Sequence, residues 1–358
     1  MTQQFDLGRF EGKTVLVSGG AGFVGSNLVK KILRETQSVQ IIVVDNLLSS
    51  EPTNLPVDER LELVVGSIAD VRILHGLPQA IDYVFHLSCF HGNQSSIHNP
   101  LADHENNLLT SLHLFDFLSR YRSPEKIVYA AAGCAVAEKT SDSPEATVEL
   151  DFVSLHHDSP YSISKIVGEL YGNFYHRHAG LPVVKARFQN VYGPGELLGA
   201  GLWRGTQHSI WRNVIPSFVW RALTDQELPL ENNGRNSRDF IFVEDICEGL
   251  LRLCLLGRPG ETYNLGSGQD YEIGLIAEKI IDLSSSLSSL KMVPGRSWDR
   301  SGRRFASIDK AVSEVGFQPR IGIEDGLART IEWQVDHKSL IASHIAKHAL
   351  SSNQSSAL

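Results

Sequence analysis

The stretch "VLVSGGAGFVGSNL" constrains the fold more than any other part of the chain. A β-branched apolar run leads into a turn carrying Gly19, Gly22 and Gly25, and a helical pattern from about Phe23 to Arg34 leaves it. The three glycines answer different steric demands. The first permits a tight turn, the second lets a pyrophosphate approach the backbone, and the third lets the helix pack closely. Free N–H groups and the positive end of the helix dipole then face that diphosphate. Asp45 ends the next apolar run, "IIVVD", 20 residues after Gly25. A carboxylate there accepts hydrogen bonds from an adenosine ribose 2′-OH and repels a 2′-phosphate. Strand, turn, helix, strand and Asp together predict a dinucleotide site at Gly19, Gly22, Phe23, Val24, Gly25 and Asp45, with NAD preferred to NADP.

The alternation continues downstream. "LELVVGS", "DYVFHLS", "KIVYA" and "PVVKARF" read as buried strands, and helical stretches cover about 101–121 and 161–178. Apolar strands separated by helices predict an α/β fold, a Rossmann-like doubly wound parallel sheet covered on both faces. The pattern loosens beyond about Asn190. This places an NAD-binding domain at 11–190, with strand and helix returns from about 235–265. A smaller, intertwined substrate domain follows at 191–335, and 336–358 reads as a polar tail, frayed at its Ser-rich end. The 358 residues, 42% hydrophobic, suffice for such a core. At a net charge of -8 with no basic block, nucleic acid is not an expected partner. The apolar runs are too short to span a bilayer and "MTQQFDLGRFEGK" lacks the apolar stretch of a signal peptide, so a cytoplasmic protein without membrane insertion is expected. Four cysteines without CxxC spacing read as reduced thiols, and the scattered histidines predict no metal site.

"SPYSISK" puts Tyr161 and Lys165 four residues apart on one helix face. A phenol with a pKa of about 10 is a poor base at neutral pH. A nearby ammonium, with a cationic nicotinamide, stabilises the phenolate and brings it toward the working range.

With fingerprint and Tyr-Lys pair in this order, the chain resembles the extended short-chain dehydrogenase/reductases, and within them the nucleotide-sugar epimerases and dehydratases of the UDP-glucose 4-epimerase type. The likeness runs from about Lys13 to Trp333. It implies NAD contacts at Asn46, Ser67, Ile68, Leu87, Ser88, Asn107 and Ala130, besides Tyr161 and Lys165, with Asn107 matching a helix Asn that is usually structural. "ARFQNVYGPG" resembles the sugar-nucleotide motif, with Asn190 at a diphosphate position. "RNVIPSF" implies substrate contacts at Asn213 and Val214. Arg238 and Arg296 correspond to the arginines that clamp a diphosphate, for which bidentate guanidinium groups are suited. The resemblance also implies a UDP-sugar as the favoured nucleotide-sugar partner, a homodimer built on the helices near 101–121 and 161–178, and a role in O-antigen or other surface polysaccharide synthesis.

One stretch departs from the family. Where "SSxxVYG" is usual, this chain reads "AAAGCAVAE", so Ala132 stands at the position of the catalytic Ser or Thr. Gly133 and Cys134 replace the Asp-Glu of 4,6-dehydratases. The expected activity is therefore NAD-dependent epimerisation through a keto-sugar, at carbon 4, with Ala132 lining the sugar pocket and the lost donor replaced by Cys134, by a water beside Ala132, or by a hydroxyl of Thr140 or Ser141. Carbon 5 epimerisation, oxidation, dehydration, decarboxylation or non-catalytic NAD binding are the alternatives. The segment "GELLGAGLWRGTQHSIWR", ending at Arg212, has four glycines and two tryptophans and is expected to be a lid whose Arg204 and Arg212 receive an anion.

Overall fold

The computed structural model describes residues 5–133, 145–151, 153, 155–296 and 302–355, and the side chains of the last helix as far as His348. Cys134, Thr140 and Ser141 lie outside the described residues.

Seven parallel strands form the central sheet: β1 (Thr14–Ser18), β2 (Gln40–Asp45), β3 (Leu61–Val65), β4 (Tyr83–His86), β5 (Lys126–Ala132), β6 (Val183–Phe188) and, late in the chain, Thr262–Leu265. From one edge the order is Thr262–Leu265, β6, β5, β4, β1, β2, β3. Successive side chains on a strand point to opposite faces. Val15 and Val17 accordingly join a core with the helices Phe23–Glu35 and Val243–Leu256. Leu16 joins a second core with Leu114 and Leu118 of the helix Thr110–Tyr121. Both faces are thus covered, as the β-branched runs require. The strand order reverses between β1 and β4, which opens a crevice at their C-terminal ends.

The helix Pro160–Ala179 crosses one face. Its start is specified locally: Pro160 sits at the first turn, and Ser159 Oγ accepts from Ser162 N at 3.3 Å. Its end is specified by Gly180, at φ 69°.

The later part of the chain forms small sheets beside the crevice. Asn190–Tyr192 pairs with Phe240–Phe242, and Ser237–Arg238 lies between Tyr271–Glu272 and Arg303–Arg304. The stretch expected to be a polar tail carries instead the helix Lys338–Ser355. Ile341 is fully buried, and Ile345, four residues on, packs in the same cluster. An apolar seam this narrow is diluted in composition by the serines and lysines around it. Among the described residues, no helix is long and apolar enough to cross a membrane.

Candidate active site

A cleft of about 590 Å³ runs along the C-terminal edge of the sheet, from the glycine turn to the small sheets. At the turn the three glycines have separate duties. Gly19 has φ +74°, and a Cβ on it would approach Ser88 N to 2.7 Å. A Cβ on Gly25 would collide with the Gly19 carbonyl oxygen, so the helix seats on the turn only without one. Among the described residues other than its chain neighbours, the only atom near a Cβ built on Gly22 is Gly19 O at 3.2 Å, and the remaining space faces the cleft. A diphosphate fits that open space against the N-terminus of Phe23–Glu35.

Asp45 lies in the same wall, 7% exposed. Its carboxylate accepts from Ala21 N at 3.0 Å, Leu47 N at 2.9 Å and Ser50 Oγ at 2.8 Å. A carboxylate offers about four lone-pair sites, so about one remains for a ribose hydroxyl. Phe23, Val24, Asn46, Ser67, Ile68, Leu87, Ser88 and Ala130 also line the cleft. Asn107 does not, contrary to the expectation of a cofactor contact. It is 2% exposed, accepts from Phe90 N at 2.8 Å and donates to Asp103 Oδ1 at 2.6 Å. Its amide is spent on holding the loop after β4, and its neighbour Asn106 faces the cleft instead.

Tyr161 and Lys165 line the middle of the cleft, 9% and 3% exposed. Lys165 Nζ donates to Ala130 O at 2.9 Å and lies 5.9 Å from the centre of the Tyr161 ring. Tyr161 is fixed at its backbone, where its N–H donates to Ser96 Oγ at 3.1 Å. Ser164 donates to Asp103 Oδ2 at 2.6 Å, which joins this helix to the network around Asn107. Ala132 packs beside Tyr161, its methyl where the family carries a hydroxyl. At Gly133 a Cβ would collide with the Gln189 amide, so no larger residue fits while Gln189 holds its place.

At the far end, Asn190, Asn213, Val214, Arg238 and Arg296 all line the cleft. Asn190 Nδ2 donates to Asp239 O at 3.2 Å. Arg238 Nη1 donates to Ser237 O at 2.7 Å, and Arg296 pairs with Glu231 at 2.7 Å. Asn213 donates to Glu196. Glu196 is half-buried, but its Oε2 is enclosed and unpartnered. Burial pushes this carboxyl up to about 7, against the opposing pull of Asn213 and Arg212.

The expected lid is a packed layer. Leu197, Leu198, Ala200 and Ile210 share an apolar cluster with Trp220 and Ile341. Polar contacts add to it: Leu202 N donates to Leu48 O at 3.0 Å, Gly201 N to Glu51 Oε1 at 3.0 Å, and His348 Nε2 meets Gly199 O at 2.7 Å. Arg212 faces the cleft yet donates to the carbonyls of Ser209, Ala200 and Ser49. Arg204 is 8% exposed and is not part of the cleft wall.

Sequence reasoning missed His91, Gln189 and Arg304, which also line the cleft. The signal for His91 was positional: "SCFHGNQSS" directly follows β4, at the sheet edge where ligands bind. Arg304 pairs with Asp158 at 2.7 Å, and no local pattern announces that contact.

A family model described as the NAD dependent epimerase/dehydratase family matches residues 15–266. Among solved structures, the chain is 48% identical to the Bordetella bronchiseptica enzyme WbmF in complex with NAD+ and UDP. The TM-score is 0.86, over 96% of this chain and 98% of that one. It is 27% identical to the UDP-glucose 4-epimerase of Thermotoga maritima with UDP-glucose, at a TM-score of 0.80 over 91% of this chain and 99% of that one. A dTDP-glucose 4,6-dehydratase of Streptomyces antibioticus is 30% identical over 345 residues, 91% of this chain and 93% of that protein.

Proposed function

The chain belongs to the NAD dependent epimerase/dehydratase family, and from that premise we propose that it is a nucleotide-sugar epimerase acting at carbon 4 of a UDP-sugar. The observation that carries this reading is the Tyr161–Lys165 pair lining the cleft beside Ala132, with Gly133 and Cys134 in the sequence where dehydratases carry Asp-Glu. Gln189 fills the space a side chain at 133 would need.

Bound against the glycine turn, NAD supplies the acceptor and later the donor of a hydride. The chain's residues do the rest. Tyr161 as phenolate takes the proton of the sugar hydroxyl and returns it in the second half of the cycle. Lys165, held on the Ala130 carbonyl, places its positive charge beside that phenol and favours its ionised form. Asn190, Asn213, Arg238 and Arg296 bind the diphosphate end and leave the sugar free to present its other face. The WbmF complex with UDP supports the choice of nucleotide.

We assign a homodimer by the same reading. Ile163, Leu170 and Phe174 stand exposed on the helix Pro160–Ala179, spaced for one face, and Leu101 is exposed on an adjacent helix. A monomeric mass by light scattering at micromolar concentration overturns the dimer. Surface-polysaccharide precursors are the products this assignment implies.

The activity is tested with a panel of UDP-, dTDP- and GDP-sugars, read by mass spectrometry and NMR. An epimerase yields a product of unchanged mass with new ring-proton signals. Loss of one water from the sugar identifies a dehydratase. No turnover across the panel with NAD bound makes the chain a binding protein.

A further inference from the structure

The reaction centre lacks the hydroxyl at position 132, and the same cleft holds an imidazole, His91, against the Tyr161 ring. We infer that His91 donates the hydrogen bond to the reacting sugar oxygen that a Ser or Thr at position 132 would otherwise donate, an inference that rests on the epimerase reading above.

Three observations meet at His91. Its ring lies edge-on to Tyr161, with centroids 6.0 Å apart and planes at 74°, and lines the same cleft. Among the described residues, no hydrogen bond is formed by its ring nitrogens, although its backbone is tied on both sides. Before it, Phe90 exchanges hydrogen bonds with Asn107 through both N and O, at 2.8 and 3.4 Å. At it, Arg204 Nη1 donates to His91 O at 3.4 Å. After it, Ser159, which caps the Tyr161 helix, donates to Asn93 Oδ1 at 3.2 Å. Buried Asn107 and Arg204 thus fix the backbone that carries this imidazole, which lines the cleft beside Tyr161. Such a pre-set donor needs little reorganisation when charge develops on an oxygen.

The state of the ring suits the task. Burial, with the positive charges of Arg212, Arg204 and Lys165 around it, pushes His91 down to about 3. A neutral imidazole carries one N–H donor and one acceptor nitrogen. The proton count closes without His91 changing charge. Tyr161 accepts the hydroxyl proton, the C–H electron pair leaves with its hydrogen to the bound cofactor, and His91 keeps its N–H pointed at the oxygen that becomes a carbonyl. The return step reverses each transfer. Cys89 also lines the cleft, but a thiol is a weaker donor.

The test compares wild type, His91→Ala, His91→Gln, Ala132→Ser and the His91→Ala/Ala132→Ser double variant on the sugar that the panel identifies. UDP affinity and NAD retention are measured alongside. His91→Ala is expected to lower kcat about a hundredfold, the usual loss for one such donor, with UDP affinity unchanged. His91→Gln, which keeps an N–H, recovers part of the rate. Ala132→Ser restores activity in the His91→Ala background, because the hydroxyl returns to its family position. His91→Ala activity close to wild type, a parallel loss of UDP affinity, or no recovery in the double variant overturns the inference. If His91→Ala fails to retain NAD, His91→Phe keeps the ring packing without the N–H and carries the same comparison. A wild type silent across the panel overturns the epimerase reading and this inference with it. An active wild type with an equally active His91→Ala overturns the inference alone.

Discussion

The two ends of the cleft are built by different means. At the cofactor end the working surface is backbone: Gly19, Gly22 and Gly25 within seven residues, and the start of one helix. At the sugar end it is side chains from segments far apart, His91, Tyr161, Gln189, Arg212 and Arg238 among them. A backbone site tolerates few sequences, because a Cβ at the wrong place meets a carbonyl or blocks a phosphate. A side-chain site can exchange one donor for another if the atoms arrive in the same place. Position 132 could therefore lose its hydroxyl, whereas the glycines have no substitute.

The comparison yields four expected outcomes, from the largest effect to the smallest. Tyr161→Phe should lower kcat by about 10²–10⁴-fold, the contribution of a positioned acid/base, while NAD stays bound. Loss of NAD in that variant would show that the two ends are not separable.

Glu196 comes next, and its effect appears as pH dependence. Its carboxyl sits near 4.5 when unperturbed and is pushed up to about 7 in the folded chain. Below 4.5 both states are protonated and nothing is lost. Between those values the unfolded chain has released its proton and the folded chain has not, so stability falls as pH rises and levels off above 7. The difference corresponds to about 3 kcal/mol. Glu196→Gln should flatten this decline, so that its urea midpoint exceeds wild type at pH 8 and matches it near pH 4. An identical pH profile in the variant would place the strain elsewhere.

The last two outcomes separate the glycines. Gly25→Ala forces a methyl into the Gly19 carbonyl, and overpacking of this kind costs about 1–3 kcal/mol. Thermal unfolding and NAD retention should fail together. Gly22→Ala meets only Gly19 O at 3.2 Å on the protein side, so its stability should stay within about 0.5 kcal/mol of wild type. Its NAD affinity should fall, because the methyl enters the diphosphate space. If Gly22→Ala binds NAD as wild type does, the diphosphate lies elsewhere on the turn.

Legibility follows the same divide. The glycine turn, Tyr161 and Lys165 are readable from spacing within one strand-to-helix junction or one helix turn, and Asp45 from its place at the end of the next strand. The resemblance places Asn107 at the cofactor as well as in a structural role, and its amide goes to Phe90 and Asp103. The direction of a side chain on a buried helix depends on what packs against it. The length, glycines and tryptophans of the segment before Arg212 predict a lid. What makes it a fixed layer is the helix Lys338–Ser355, more than a hundred residues later, whose Ile341 and His348 reach it.

By itself the sequence determined the parallel sheet, its crossover helices, the dinucleotide turn and the Tyr-Lys pair. These follow from local periodicity and from steric rules acting over a few residues. Only the tertiary structure decided that His91 faces Tyr161, that Gln189 fills the space beside Gly133, and that the last helix packs on the segment around Gly199. Those contacts join residues 56 to 149 positions apart. No local preference encodes such a pairing; it exists once the sheet and its two cores have brought the segments into one place.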